Sequence, residues 1–316
     1  MHEETLEVIG ADGLPLKTFV WTPENVEVRG VVQIVHGQAE RANRYARFAK
    51  ALTDQGYAAF SHDLRGHGET CQLDKPGTEW GIMGHFADED GWNKCVNDGL
   101  LVQAEMAKRF AGKNVVLFGH SLGSMIAQNM MIFNPRPYSG LCLSGCLLGV
   151  TARTYALRLI IWGQHLFLGG RAPGQWIHML TFDSFLEPFQ PIKTPADWLS
   201  RDVEECEKFV ADPLLGATSS AQHWLDFANG FEYISRVQNL KLIGTDMPVA
   251  VFGGTMDAAA DMGAGFQRLV KAYQQAGFKD FEQTVYEGAR HELLNEINRD
   301  EVTADMLDWI NRKMPG

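Results

Sequence analysis

A recurring alternation constrains this chain more than any other feature. Four short apolar runs, VVQIVHG from Val31, GYAAFSHD from Gly56, NVVLFGH from Asn114 and GLCLSG from Gly140, each end in polar or glycine residues. Between them, Asn43 to Gln55, Gly91 to Phe110 and Leu122 to Phe133 carry apolar residues at helical spacing. Continuous apolar strands separated by amphipathic helices predict a parallel sheet covered on both faces. The pattern stops near Gly149. It resumes after Asp246 with MPVAVFGG, a helix near Gly265 to Gln275, FEQTVYEG, and a last helix from about Asn298 to Lys313. Upstream, residues 4–10 and 16–21 can pair as a hairpin across an Asp-Gly turn, which brings the expected sheet to about eight strands.

The interval has a different texture. Its β-branched runs give way to aromatic, helix-compatible sequence containing Trp162, Phe167, Trp176, Phe182, Phe185, Phe189, Trp198, Trp224, Phe227 and Phe231. We therefore expect a core built from residues 1–148 and 246–316, with residues 149–245 inserted as a helical cap.

Composition excludes several classes of function. The 28 basic and 39 acidic residues give a net charge of −11, and no basic block occurs, which argues against phosphate neutralisation on nucleic acid. Bulk attraction to anionic lipid is disfavoured for the same reason, whereas transient apolar contact with a membrane is left open. No apolar run is long enough to span a bilayer. Five cysteines without a C-x-x-C pair fit a reducing compartment, and the acidic N-terminal residues do not resemble a signal peptide, so a cytoplasmic location is expected. Oligomeric state leaves no mark on one sequence.

Residues 119–123 read GHSLG, a G-x-S-x-G at a strand-to-helix junction. A serine displayed on so sharp a turn needs glycines two residues to either side, because the strand and helix backbones nearly touch there. Its hydroxyl is a weak nucleophile until a base, itself oriented by a carboxylate, takes the proton. In strand-elbow hydrolases the chain order is serine, acid, histidine. Of the four histidines after Ser121, three fall in the aromatic insertion, leaving His291 in EGARHELLNE, between the last strand and the last helix. Asp257, the first carboxylate past MPVAVFGG, is the expected acid, with Asp261 as the alternative. The backbone N–H groups of Leu122, which follows the nucleophile, and of Gln38, at the end of VVQIVHGQAE, are the expected oxyanion donors. His36 is expected to brace that turn.

Competing chemistries are thinly supported. HELLN has asparagine where a zinc-protease helix needs its second histidine, no Walker A loop occurs, and the glycines near 263–265 lack a dinucleotide fingerprint. His62, Asp63 and His67 lack further ligands to complete a metal shell. No metal and no cofactor are expected, since serine acyl transfer needs none.

The segments HGQAERANRY, DLRGHGET, GHSLG and GARHELLNE together resemble the α/β-hydrolase superfamily. Within it they resemble the monoacylglycerol lipase and bacterial lysophospholipase-like group often filed with serine aminopeptidases. That resemblance implies an eight-stranded, mostly parallel sheet with an inserted helical cap, and the roles already given to Ser121, Asp257, His291, Gln38 and Leu122. The chain departs from the group's pattern at Ala39, usually glycine, at Arg41, usually histidine, and after Asp257. The expected activity is carboxylic ester hydrolysis through an acyl-enzyme, on a small-molecule ester carrying one acyl chain. Trp162, Phe167, Trp176 and Phe185 are candidate acyl-binding residues. The alternatives are a short-chain carboxylesterase, a serine aminopeptidase, or an inactive binding protein on the same fold.

Overall fold

The structure, a computed structural model, describes residues 1–314. Its strands are β1 (His2–Ile9), β2 (Pro15–Thr22), β3 (Gly30–Val35), β4 (Tyr57–His62), β5 (Val115–His120), β6 (Gly140–Ser144), β7 (Val249–Gly254) and β8 (Phe281–Tyr286). They form one sheet in the order β1-β2-β4-β3-β5-β6-β7-β8. The β1–β2 and β2–β4 pairs are antiparallel, and the remaining pairs are parallel. This is the mostly parallel, eight-stranded sheet of an α/β-hydrolase fold.

The apolar runs became the central strands because both of their faces are covered. Every residue of β3, β4, β5, β6 and β7 is buried. The buried polar residue Gln33 in β3 is satisfied on both sides: its amide donates to Gly99 O at 2.9 Å, and its oxygen accepts the Tyr138 hydroxyl at 2.8 Å. Edge strand β8 alternates between more and less exposed residues, as a half-covered strand must.

Helices α1 (Ala46–Asp54) and α10 (Arg299–Lys313) cover one face of the sheet, with Phe48, Leu52, Val302, Met306, Trp309 and Ile310 in a shared core. The other face is covered by α2 (Gly91–Arg109), α3 (Leu122–Phe133) and α9 (Ala264–Ala276), joined there by the insertion's Phe231, Ile234, Leu240 and Ile243.

Between β6 and β7 the described residues form no strand of the sheet. They form α4 (Ala152–Leu168), the short α5 (Gln175–His178), π and 3₁₀ turns over Met179–Phe189, α6 (Val203–Ala211), α7 (Ala221–Ile234) and the short α8 (Val237–Leu240). Three of these helices begin at oxygen-bearing caps, Thr151, Asp202 and Ser220, whose side chains accept otherwise orphaned backbone N–H groups. The insertion is not uniformly detached, since α7 packs on α2 and α3 while α4 and α5 lie further out. The aromatic residues form two small cores, one around Trp198 and Phe185 and one around Ile161, Ile177 and Trp224.

Candidate active site

Four loops, after β3, β5, β7 and β8, bring Gln38, Ser121, Leu122, Asp257 and His291 to the carboxyl ends of the parallel strands. Ser121 follows β5 directly and sits at φ 52°, ψ −121°, a left-handed conformation costing about 1–3 kcal/mol for a non-glycine residue. The glycines make this turn possible. A Cβ on Gly123 would lie 2.1 Å from Val35 O, and one on Gly119 would lie 2.5 Å from Gly123 O. The turn is pinned by the Ser121 N–H donating to Ser144 O at 2.9 Å and by the Ser124 hydroxyl donating to Ser121 O at 2.6 Å.

Asp257 and His291 meet beside this elbow. His291 Nδ1 lies 2.9 Å from one Asp257 carboxylate oxygen and 3.0 Å from the other, and both side chains are buried. The nearby Ala260 N–H steadies the carboxylate at 3.2 Å. Burial alone would depress the imidazole, yet the Asp257 charge and hydrogen bond, supported by Glu292 and Glu40, raise its pKa above the ordinary 6.5. Asp261 takes no part in this contact: its side chain is 63% exposed and pairs with Arg268 at 3.3 Å. The His120 ring stacks obliquely on His291 at 4.9 Å, and Trp198 from the insertion covers it at 5.1 Å.

The loop after β3 approaches the serine closely. A Cβ on Gly37 would lie 3.1 Å from Ser121 Cβ. Neither the Gln38 nor the Leu122 N–H donates to an acceptor among the described residues, so both donors remain free at the elbow. His36 braces the turn, with Nδ1 at 2.8 Å from Gly37 O and Nε2 accepting the Leu64 N–H at 2.9 Å. Ala39, at the position where the resembling group usually has glycine, takes φ 57°. Arg41, at the position where the resembling group usually has histidine, pairs with Asp212 at 2.7 Å. The insertion also ties this loop down through Gly216 N–H to Ala39 O at 2.8 Å and the Gln38 amide to the Ser219 hydroxyl at 2.8 Å. Asp63 of DLRGHGET accepts the Ala42 and Glu69 N–H groups, each at 2.7 Å, and so serves the loops.

Ser121, Gln38 and His291 line a cavity of about 690 Å³ that continues between core and insertion. Its wall includes Ile161, Ile177, Phe182, Phe185, Trp198, Trp224 and Phe227. Of the four candidate acyl-binding residues, only Phe185 is on this wall. Trp162, Phe167 and Trp176 are 59%, 79% and 50% exposed and face outward. Helix geometry accounts for this placement, because successive residues are turned by about 100°. Ile161 and Ile177 point inward, so their neighbours Trp162 and Trp176 point away. Leu157, Ile161 and Gln164, at helical spacing, form the inward face of α4.

Sequence reasoning also passed over Glu40, Arg44 and Glu292. Glu40 and Glu292 are buried beside His291, with Arg44, only slightly exposed, between them. Each read alone looks like a solvated loop charge, and only the fold places them side by side.

The serine aminopeptidase, S33 family (Hydrolase_4) matches residues 26–298. The chain is similar to the monoacylglycerol lipase of Mycolicibacterium smegmatis, 26% identical over 95% of this chain and 94% of that one. It is also similar to the monoglyceride lipase of Homo sapiens, 24% identical over 98% of this chain and 90% of that one. Among solved structures, a thermostable carboxyl esterase from Bacillus coagulans in complex with glycerol superposes with a TM-score of 0.87 at 24% identity, covering 99% of each chain.

Proposed function

Because the chain belongs to the serine aminopeptidase S33 family of hydrolases, we propose that it cleaves carboxylic esters of single-chain lipids through an acyl-enzyme at Ser121. His291 takes the Ser121 proton as the hydroxyl oxygen attacks the ester carbonyl. The Gln38 and Leu122 N–H groups hold the tetrahedral oxyanion. Collapse breaks the bond to the leaving alcohol, which receives its proton from His291, and a water activated by the same imidazole then releases the fatty acid. Asp257 fixes the tautomer and offsets the imidazolium charge.

The observation that carries this reading is the union of two features in one cavity. The buried His291–Asp257 pair opens onto an aromatic-walled space of about 690 Å³, within the range of small-molecule sites. Burying an acyl chain there gains about 0.8 kcal/mol per CH₂, enough to favour medium and long chains. The similarity to monoacylglycerol and monoglyceride lipases supports the same substrate class. The inserted residues 149–245 then act as a lipid-binding cap.

Initial rates on p-nitrophenyl esters from C2 to C16, beside monoacylglycerol, lysophosphatidylcholine and an aminoacyl anilide, test it with Ser121→Ala as the blank. The expected result is a maximum at medium or long chains and hydrolysis of monoacylglycerol. A maximum at C2 to C4 would make this a general esterase, and activity confined to the anilide would make it a peptidase.

A further inference from the structure

A buried ionic cluster touches both the oxyanion loop and the histidine loop. Glu40, four residues past His36, accepts the Gly37 N–H at 2.5 Å and the Tyr45 hydroxyl at 2.8 Å through one oxygen. Its other oxygen accepts Arg44 Nη1 at 2.7 Å. Arg44 also grips Glu292 with two nitrogens, at 2.6 and 2.7 Å, and Glu292 directly follows His291. The Asn295 amide donates to the same carboxylate at 2.9 Å, and Phe209 of the insertion lies against the guanidinium with its ring centroid at 5.0 Å. The three charged side chains are only 4%, 13% and 7% exposed.

We propose that Glu40, Arg44 and Glu292 are positioning residues that lock the oxyanion loop to the histidine loop and hold a surplus negative charge beside His291. The proposal rests on the roles given above to Ser121 and His291. Stability alone is a poor reason to bury such a cluster, because desolvating three ions offsets most of their attraction, and apolar residues of similar size would serve as well. The connectivity provides a better reason. The Gly37 N–H held by Glu40 fixes the His36–Gly37 peptide, one before the peptide that carries the Gln38 N–H, while Glu292 is one residue from the base. The two loops that must stand opposite a tetrahedral intermediate are therefore joined through one guanidinium.

The charge balance also favours this role. One guanidinium faces two carboxylates. Against the burial that would raise it, the guanidinium holds Glu292 well below its ordinary value, while Glu40, desolvated and facing Glu292, is pushed up from its own. The groups around His291 are Asp257 from the loop after β7, Glu292 beside it, Glu40 and Arg44 from the loop after β3, His120 at the end of β5, and the uncharged Trp198. Burial depresses His120 to about 3, so it is neutral at working pH. The remaining charges sum to excess negative, which favours the imidazolium formed when Ser121 is deprotonated.

The test is a set of pH profiles of kcat/KM on a soluble ester for wild type, Glu40→Gln, Glu292→Gln, Arg44→Lys and Tyr45→Phe, with folding checked by thermal melting. In folded Glu292→Gln and Glu40→Gln, kcat should fall at least about tenfold with KM changed less than about threefold, since small misplacements of reacting groups are costly. Their acidic limb should move to lower pH by about half a unit or more, because the base loses negative charge beside it. Arg44→Lys, unable to bridge both carboxylates, should lose kcat. Tyr45→Phe, which removes no charge, should keep the wild-type limb. If Glu40→Gln does not fold, Glu292→Gln carries the same test from the other end. Folded Gln variants with wild-type kcat and an unmoved limb would overturn the positioning role. Hydrolysis that survives Ser121→Ala would instead overturn the underlying serine mechanism, so the two failures are distinguishable.

Discussion

At the scale of single residues, the site depends on positions where one atom more or less decides the outcome. Gly123→Ala would drive a Cβ into Val35 O, and should cost about 3 kcal/mol, read as a fall in melting temperature together with loss of hydrolysis. Asp257 and Asp261 give a sharper contrast. Asp257→Asn should reduce kcat by about 10⁴-fold, because the amide can present the wrong partner to Nδ1 and stabilise the wrong tautomer. Asp261→Asn, which loses only an exposed pair with Arg268, should change kcat by less than about twofold. The raised pKa of His291 has a definite sign: the base works unprotonated, so kcat/KM should fall as pH drops through an apparent value above 6.5. An acidic limb below 6.5 in the wild type would contradict the support described for His291. The placement of Ser121, Asp257 and His291 at one end of the sheet was legible in the sequence, because chain order and strand ends restrict each position to very few candidates. Glu40, Arg44 and Glu292 were not, because residues 40 and 292 meet only through tertiary structure.

At the scale of elements, local pattern and tertiary packing agree where the helices cover the sheet. Leu122–Phe133 and Gly91–Arg109 form helices within a residue of where periodicity placed them, since apolar stripes facing a buried sheet have one stable orientation. The insertion was harder to read. Its turns over Met179–Phe189 leave α-helical spacing, and its helices carry aromatic residues on the outside as well as the inside, so composition could not say which ring faces the cavity. Helix α4 shows the problem: Ile161 is buried, whereas Leu159, Trp162 and Leu166 are exposed. The two faces predict different behaviour. Phe185→Ala or Trp224→Ala should lower kcat/KM on a C12 ester more than on a C4 ester, while Trp162→Ala should leave the ratio unchanged. A chain-length profile indifferent to Phe185 and Trp224 would detach the cavity from acyl binding.

At the scale of the whole molecule, the sheet order turns a distant set of residues into one centre. Placing β5 beside β3 puts the Ser121 elbow next to the Gln38 loop, and continuing through β6 and β7 to β8 brings the Asp257 and His291 loops to the same end. The insertion closes the centre from above, with Trp198 on His291 and Ser219 on Gln38. No helix among the described residues is long and apolar enough to cross a membrane. The proposed function turns on one chemical consequence of this arrangement, a nucleophilic serine at position 121. The most direct measurement is to treat the protein with an alkyl fluorophosphonate and locate the adduct by peptide mass spectrometry while following ester hydrolysis. A single adduct on Ser121, formed in step with loss of activity and absent from Ser121→Ala, is the predicted result. An adduct elsewhere, or undiminished hydrolysis by fully labelled protein, would contradict it.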